Sequence, residues 1–598
     1  MSIDPADISY VQIFPPIGIA RLGDSGFDLS TGNPDGDIEW FLPSEIPGTE
    51  DMPTSLNGQF RDGKHRIKRQ AVQFRVYAYR EDGTILGEIT SGNTSGYNIN
   101  WTVHVANHKG TWYEFSGEYR PKPNGLRNPD VQPSLSPEKR SDLIVDSKVQ
   151  PISGTCSRVE LKGSFHGSQS DAVDAGPVTR VPWQILPEPH FQPDIISEFD
   201  SIDWVDDTCD GWVDVQVEYG DYKFPAQHKS TVMSAPPKFA WGIKSPTTLY
   251  DLLENIYNDR MGWKDHDGTE FYQDIWPVMH GSYALSWVNR EAYEGHGVSA
   301  KGNFLTMEKD LATPGAANLD IRLLREHIFS RLRLPNYQDP DQSFTKYMPR
   351  LSGNDGDALE PGDAMRPGDP IKRFASLTEL QYQRFLQWKL GKFLASDAPW
   401  SQYTEFEKVP LALQPSFLTR AALEHTVGEP LYPGIEVHWT ARNPEMYVYD
   451  TSQQNNDPPF RFNHKVVQPG YIGRGLSLPW QSDFDQCNTH WWPSARPDDV
   501  INIRDFGSGD IIPVDDFIRN IAPKMRKWTR GIRETPDYPS EYYPGSTDMI
   551  RHWQKLGFVA KIPIAIGESK LPVWVENERM PIDGPLKYTF EFPSASQA

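Results

Sequence analysis

The stretch "NINWTVHVAN", residues 98–107, decides the fold class of the first part of the chain, because Ile99, Trp101, Val103 and Val105 alternate with polar residues. A period of two puts one set of side chains on one face, as in a half-buried strand. The pattern recurs in "QAVQFRVYAY" (70–79) and "GWVDVQVEYG" (211–220), with Gly, Pro, Asp and Asn clusters between the runs. Residues 1–240 therefore read as a β-rich domain. Beyond them the apolar spacing becomes helical in "SPTTLYDLLENIYNDR" (245–260), "NLDIRLLREHIFSRLRL" (318–334), "SLTELQYQRFLQWKLGKFLA" (376–395), "QPSFLTRAALEHTV" (414–427) and "VDDFIRNIAPKMRKWTR" (514–530). Several of these open on a Ser, Asp or Asn cap. The expected fold class is α+β: a β-rich N-terminal part packed on a mixed α/β domain, residues 241–598, that is partly helical and carries long irregular loops. The polar run "RLSGNDGDALEPGDAMRPGDP" (350–370) is the longest such loop, and 52 prolines and 46 glycines suit a chain of tight turns.

Composition narrows the function classes. The chain has 598 residues and a net charge of -22, with no Lys/Arg-rich block. A polyphosphate partner needs a basic face, so nucleic acid is not expected. No long uncharged apolar run is present and the start "MSIDPADISYVQIF" has neither a basic segment nor an apolar one behind it, so neither a spanning helix nor a classical export signal is expected. Three cysteines do not make a disulfide framework. The expected location is the cytoplasm, or outside the cell without a classical signal peptide.

Several common chemistries lack their motif. There is no G-x-G-x-x-G after a strand, no G-x-x-x-x-G-K-[ST], no G-x-S-x-G, no H-E-x-x-H and no paired C-x-x-C. The densest chemistry lies in "PWQSDFDQCNTHWWPSARP" (479–497), with two carboxylates, a thiol, an imidazole, an arginine and three indoles. Three readings fit it. Trp480, Trp491, Trp492 and Cys487 are ordinary core residue types. Asp483, Asp485, Cys487 and His490 are metal-ligand types, with two further ligands needed from elsewhere if only Cys487 and His490 bind. A thiol and an electron-rich indole in contact can also be oxidatively joined, with a carboxylate taking the protons. That third reading needs a second, distant tryptophan.

Six ordered blocks bear on the choice: "PPIGIARLGDS" (15–25), "RIKRQAVQFRVY" (66–77), "WTVHVANHKGTWYEF" (101–115), "AALEHTVGEPLYPGIEV" (421–437), "LPWQSDFDQCNTHWWPSARP" (478–497) and "RHWQKLGF" (551–558). Together they resemble the cysteine tryptophylquinone amino-acid oxidases of the LodA/GoxA type, the L-lysine ε-oxidase and glycine oxidase family. The resemblance implies that Cys487 and Trp553, 66 residues downstream, form the cofactor. It gives Asp483 a role in maturation and as the base in amine chemistry, and matches His425 to a substrate-site position. His490, Trp491, Trp492 and Arg496 are candidates for the substrate-site wall, Arg496 being able to hold a carboxylate bidentately. No resident metal is implied. The expected reaction is oxidative deamination of a primary amine of an amino acid, L-lysine in first place, through a Schiff base, with O2 as oxidant and ammonia and H2O2 released. A glycine oxidase and a non-catalytic binding homologue are the alternatives. Family members rely on a separate flavoprotein for maturation, so such a partner is expected too; homo-oligomerisation is left open.

Overall fold

The computed structural model describes the chain except residues 1–2, 29–32, 91–95, 114–124, 153–157, 163–205, 316–317, 336–346, 354–373, 432–435, 451–455, 487–490, 503–520, 522–523, 531–548, 550–551, 567–568 and 581–598. Among the described residues the alternating stretches build one large sheet. Its main path contains β1 (Tyr10–Phe14), β2 (Ile17–Arg21), β3 (Arg69–Tyr79), β4 (Asn98–Asn107), β5 (Gln150–Ile152), β6 (Cys209–Tyr219) and β7 (Ser230–Ala235), in spatial order β1-β3-β2-β7-β6-β4-β5. The longest ladder pairs β4 with β6 antiparallel, from Asn98 opposite Glu218 to Ala106 opposite Asp210. In this register Ile99, Trp101, Val103 and Val105 share a core with Val213, Val215 and Val217. The alternation in 98–107 thus works as read: one face is removed from water and the other stays polar. The β7 strand joins the halves of the sheet, antiparallel to β6 and parallel to β2.

Helices α1 (Leu249–Met261), α2 (Trp276–Leu285), α3 (Leu319–Phe329), α4 (Glu379–Lys389), α5 (Gln414–Leu423) and α6 (Trp480–Gln486) follow the sheet in the chain. Thr248 and Asp251 close a capping box on α1, and Thr378 and Gln381 close one on α4, so the orphan amides of each first turn are satisfied locally. The helix expected over 514–530 falls largely outside the described residues, and its end is corrected: Arg526–Lys527 is a strand paired with Asp499–Val500. The ladder supplies partners for backbone groups that helical spacing alone had assigned to a helix. Loop 350–370 lies mostly outside the described residues.

Three of the five apolar cores among the described residues draw side chains from both sides of residue 240. The core that matters for function packs Leu22, Phe41, Phe60 and Ile67 from the N-terminal part with Trp241, Trp480, Phe484, Trp491, Trp492, Trp528 and Trp553. The chain enters this core through Phe239 and turns away at Gly242. There φ is +81° and an added Cβ would lie 2.2 Å from the Glu50 carbonyl oxygen, so only glycine makes the turn. A closing hairpin, β8 (Phe558–Ile566) with β9 (Ser569–Asn577), leads away from Trp553.

Candidate active site

The site is built around α6, and the large sheet holds that short helix at its N-terminal end. Lys109, just after β4, donates to Asp206 Oδ2 at 2.7 Å and to the Ser477 carbonyl at 2.9 Å. Asp206 in turn accepts the Trp480 backbone N–H at 3.1 Å, and Asp207 accepts the Trp480 indole N–H at 2.8 Å. Asn107 Nδ2 donates to Asp206 Oδ1 at 2.6 Å. An orphan amide of the helix start is therefore met by a carboxylate, which also suits the positive end of the helix. Lys109 and Asp206 are both buried. Burial pushes the Lys109 ammonium below its usual range, while Asp206 and Asp483 pull it back up. Removing one partner of such a pair leaves an uncompensated buried charge, at a cost of about 3–5 kcal/mol.

Asp483 lies in the first turn of α6 and is 3% exposed. It shares with Lys109, Ser477, Trp480 and Phe484 the lining of a void of about 10 Å³. That is on the order of the space one water molecule needs. Trp553, 2% exposed, lies in a 3-10 turn, and its ring meets Trp480 edge-on with centroids 5.0 Å apart. Trp480 is also edge-on to Phe484 at 5.1 Å, and Phe484 lies against Phe239 and Trp528. Trp480 thus packs on Trp553 and lines the same void as Asp483. Cys487 follows the last residue of α6 in sequence but lies outside the described residues, as does His490.

The other candidates have defined partners. Trp491 and Trp492 stack on each other at 4.3 Å, and the Trp492 indole donates to the Pro430 carbonyl at 2.9 Å. Arg496 is turned inward: its Nε donates to the Phe484 carbonyl at the end of the first turn of α6, and its Nη1 lies 3.5 Å from Asp498 Oδ1. The guanidinium thereby supports the helix. His425 follows the end of α5 rather than lying inside a helix, because α5 stops at Leu423 and Glu424 is its cap. Its ring stacks on Trp241 at 5.2 Å, and its carbonyl accepts Lys238 Nζ at 3.0 Å. Burial, reinforced by Lys238, Lys244 and Arg21, holds the imidazole well below its ordinary pKa, so it is neutral. Any pH profile of kcat/KM is accordingly expected to keep its inflections in the range of about pH 5–8 when His425 becomes Asn. An inflection that disappears with the ring would show that His425 titrates there.

Lys109, Asp206, Asp207 and Trp241 were not singled out from sequence, and Trp480 was read only as a core residue type. Lys109 does stand in the block "HVANHKG" and Asp206–Asp207 in the acidic run "DWVDDTCDGW" (203–212), but nothing in either run says that the sheet brings them to residue 480.

Among the described residues no three His, Cys, Asp or Glu side chains gather as a metal-ligand set. Of the metal reading of Asp483, Asp485, Cys487 and His490, only the Asp483 side chain lies within that description.

Comparison with known proteins agrees with the architecture. Residues 14–179 match the L-lysine ε-oxidase N-terminal family model, and residues 355–503 match the L-lysine ε-oxidase C-terminal domain model. The L-lysine 6-oxidase of Marinomonas mediterranea is 25% identical over 550 residues, covering 80% of this chain and 71% of that protein. The crystal structure of the L-Lys ε-oxidase from the same organism superposes with a TM-score of 0.62 at 20% identity, covering 95% of this chain and 94% of that one. The structure of that enzyme's Schiff base intermediate with L-Lys gives a TM-score of 0.65 at 20% identity, covering 95% of each chain. With both of the family's domains matched in order along one chain, and the same fold over nearly its whole length, the protein belongs to the L-lysine ε-oxidase family.

Proposed function

We propose that this protein is a quinoprotein oxidase that deaminates a primary amine of an amino acid, L-lysine in first place, with a cysteine tryptophylquinone formed from Cys487 and Trp553. The observation that carries the proposal is the burial of Trp553 edge-on against Trp480, on the helix that bears Asp483 and that Cys487 follows in sequence. Such a site fits the group: the indole to be oxidised is held in an aromatic core, and a carboxylate and a water-sized void lie beside its neighbour. The division at residue 240 enters the same proposal, the β-rich part supplying the anchors Lys109 and Asp206 and the mixed part supplying the reacting residues.

The cofactor, once formed, would supply an electrophilic carbonyl for a primary amine and a two-electron sink that the amine fills and O2 empties. The balance is one amine, one O2 and one water in, and one aldehyde or oxo acid, one ammonia and one H2O2 out. The chain's own residues do the rest. Asp483 takes the proton from the carbon next to nitrogen, and the adjoining void has room on the order of one water molecule to relay it. Lys109, buried within the same lining, keeps a positive charge near that carboxylate and favours its ionised form. Trp480 and Phe484 keep bulk water from the reacting atoms, which strengthens each of these electrostatic effects. The neutral His425 ring, fixed on Trp241, presents a hydrogen-bonding edge rather than a charge. A separate flavoprotein for maturation belongs to this reading as well.

An intact-mass and visible-spectrum measurement on the purified protein, combined with oxygen uptake on L-lysine and glycine, tests the proposal. Two added oxygens, a thioether, a visible chromophore and peroxide formed in proportion to L-lysine oxidised are expected; aldehyde or oxo acid identifies the amine attacked. A colourless protein with unmodified Cys487 and Trp553 would support the binding homologue instead.

A further inference from the structure

A second polar chamber lies beside the site. It has a volume of about 300 Å³ and is lined by the start of α1, the face of α2, the end of α5 and the turn at Gly242. A volume of roughly 300 Å³ is at the small end of ligand pockets, suited to a single metabolite of amino-acid size. The chamber adjoins the aromatic cluster without being part of it. Phe239 packs on Phe484 at 5.8 Å, while Gly242, three residues on, lines the chamber. Three residues span at most about 11 Å of chain. The Trp241–His425 stack stands at this boundary, its neighbours Gly242 and Glu424 both facing the chamber.

The lining carries both signs of charge, Arg420 and Lys244 against Glu50, Asp251, Asp274 and Glu424. Arg420 is pre-positioned between two rings, 4.2 Å from the Tyr250 centroid and 4.6 Å from that of Trp400, and is tethered to Asp265 at 3.3 Å. A guanidinium held flat in this way loses little freedom on meeting a carboxylate. One helical turn further along α5, Glu424 accepts the Gly48 N–H at 2.7 Å and pairs with Lys244 at 2.9 Å. Glu50 stands nearby, paired with His280 at 2.8 Å. Four residues of helix separate Arg420 from Glu424, a rise of about 6 Å. That spacing is too wide for the adjacent charges of glycine and suits a carboxylate and an ammonium separated by several methylenes.

We infer that this chamber is a non-covalent binding site for an amino acid with a terminal amine, its carboxylate on Arg420 and its ammonium at Glu424 and Glu50. The site is distinct from the atoms proposed to react, and the inference does not depend on the oxidase reading.

The test uses full-length Cys487→Ala protein, in which the proposed cofactor cannot form, so that turnover does not obscure binding. Calorimetric titration with L-lysine and with 6-aminohexanoate should show one site per chain. Glycine and cadaverine should bind at least about tenfold more weakly, since each loses one of the two charge contacts. Gly281 faces the chamber from α2, and an added Cβ there meets only the Lys244 carbonyl oxygen, at an ordinary 3.9 Å. Adding Gly281→Leu should therefore fill the chamber in a folded protein, confirmed by circular dichroism, and abolish the L-lysine signal. Arg420→Gln provides a second variant and should erase the preference for L-lysine over cadaverine. Absence of saturable binding in the parent, or unchanged binding in either variant that is folded, overturns the assignment.

Discussion

Cys487→Ala protein is expected to be colourless and to produce no peroxide from L-lysine, while melting within a few degrees of the parent. In the proposed cofactor the sulfur is one of the two atoms of the crosslink, so no other side chain replaces it. Rate should fall to the uncatalysed background, a loss of at least about a million-fold by the lower bound of enzymatic acceleration. Loss of the thioether, which closes a loop of 66 residues, is expected to cost about 4 kcal/mol of loop-closure entropy, and in a chain of this length that lowers Tm by only a few degrees. The measurement is peroxide release together with absorbance and intact mass. Colour and peroxide surviving the substitution would remove Cys487 from the cofactor, and a protein that lost both but also failed to fold would be replaced by Cys487→Ser for the same comparison.

How much of this was readable beforehand depends on the range of the interactions involved. The strands at 70–79, 98–107 and 211–220 were legible because burial of one face imposes a period of two on the residues themselves. The helices at 249–261 and 379–389 were legible from their apolar spacing, but they are capped by Thr248 with Asp251 and Thr378 with Gln381 rather than by the Ser, Asp or Asn read from sequence. His425 was read as helical because apolar spacing continues through Thr426 and Val427, whereas the helix stops at Leu423 and the Leu249 N–H is given to the Thr426 carbonyl. Arg526–Lys527 was misread because the partner that makes it a strand, Asp499–Val500, lies well back in the chain. The site shows the same division. Asp483 stands out locally as a carboxylate near a thiol, and Trp553 came only from the resemblance of ordered blocks. Lys109 and Asp206, 97 residues apart, become a pair only through the β4–β6 ladder, and together they fix the start of a helix more than 200 residues further on. No periodicity records a contact of that kind.

Asp483→Asn is expected to cost about 10²–10⁴-fold in the rate of amine oxidation per cofactor formed, the range for loss of a positioned general base. The amide matches the carboxylate in shape, so α6 and the Trp480–Trp553 contact should persist, and the loss would reflect charge and basicity rather than packing. The position explains why solvent does not rescue it: the side chain is 3% exposed, and the adjoining void has room on the order of one water. Lys109 sharpens the test. Its ammonium is pulled up by Asp206 and, more weakly, by Asp483, so the amide leaves a buried cation less well compensated and pushes its pKa further down. Asp483→Asn should therefore also reduce the fraction of chains that mature, if the same carboxylate takes protons during crosslinking. Two readouts separate the roles: chromophore per chain reports maturation, and substrate reduction followed in a single turnover, normalised to chromophore, reports the base. A variant that matures poorly yet reduces its cofactor at the parental rate would confine Asp483 to maturation and require another base. A variant with parental values for both would return Asp483 to the capping role that its place in the first turn of a helix also allows.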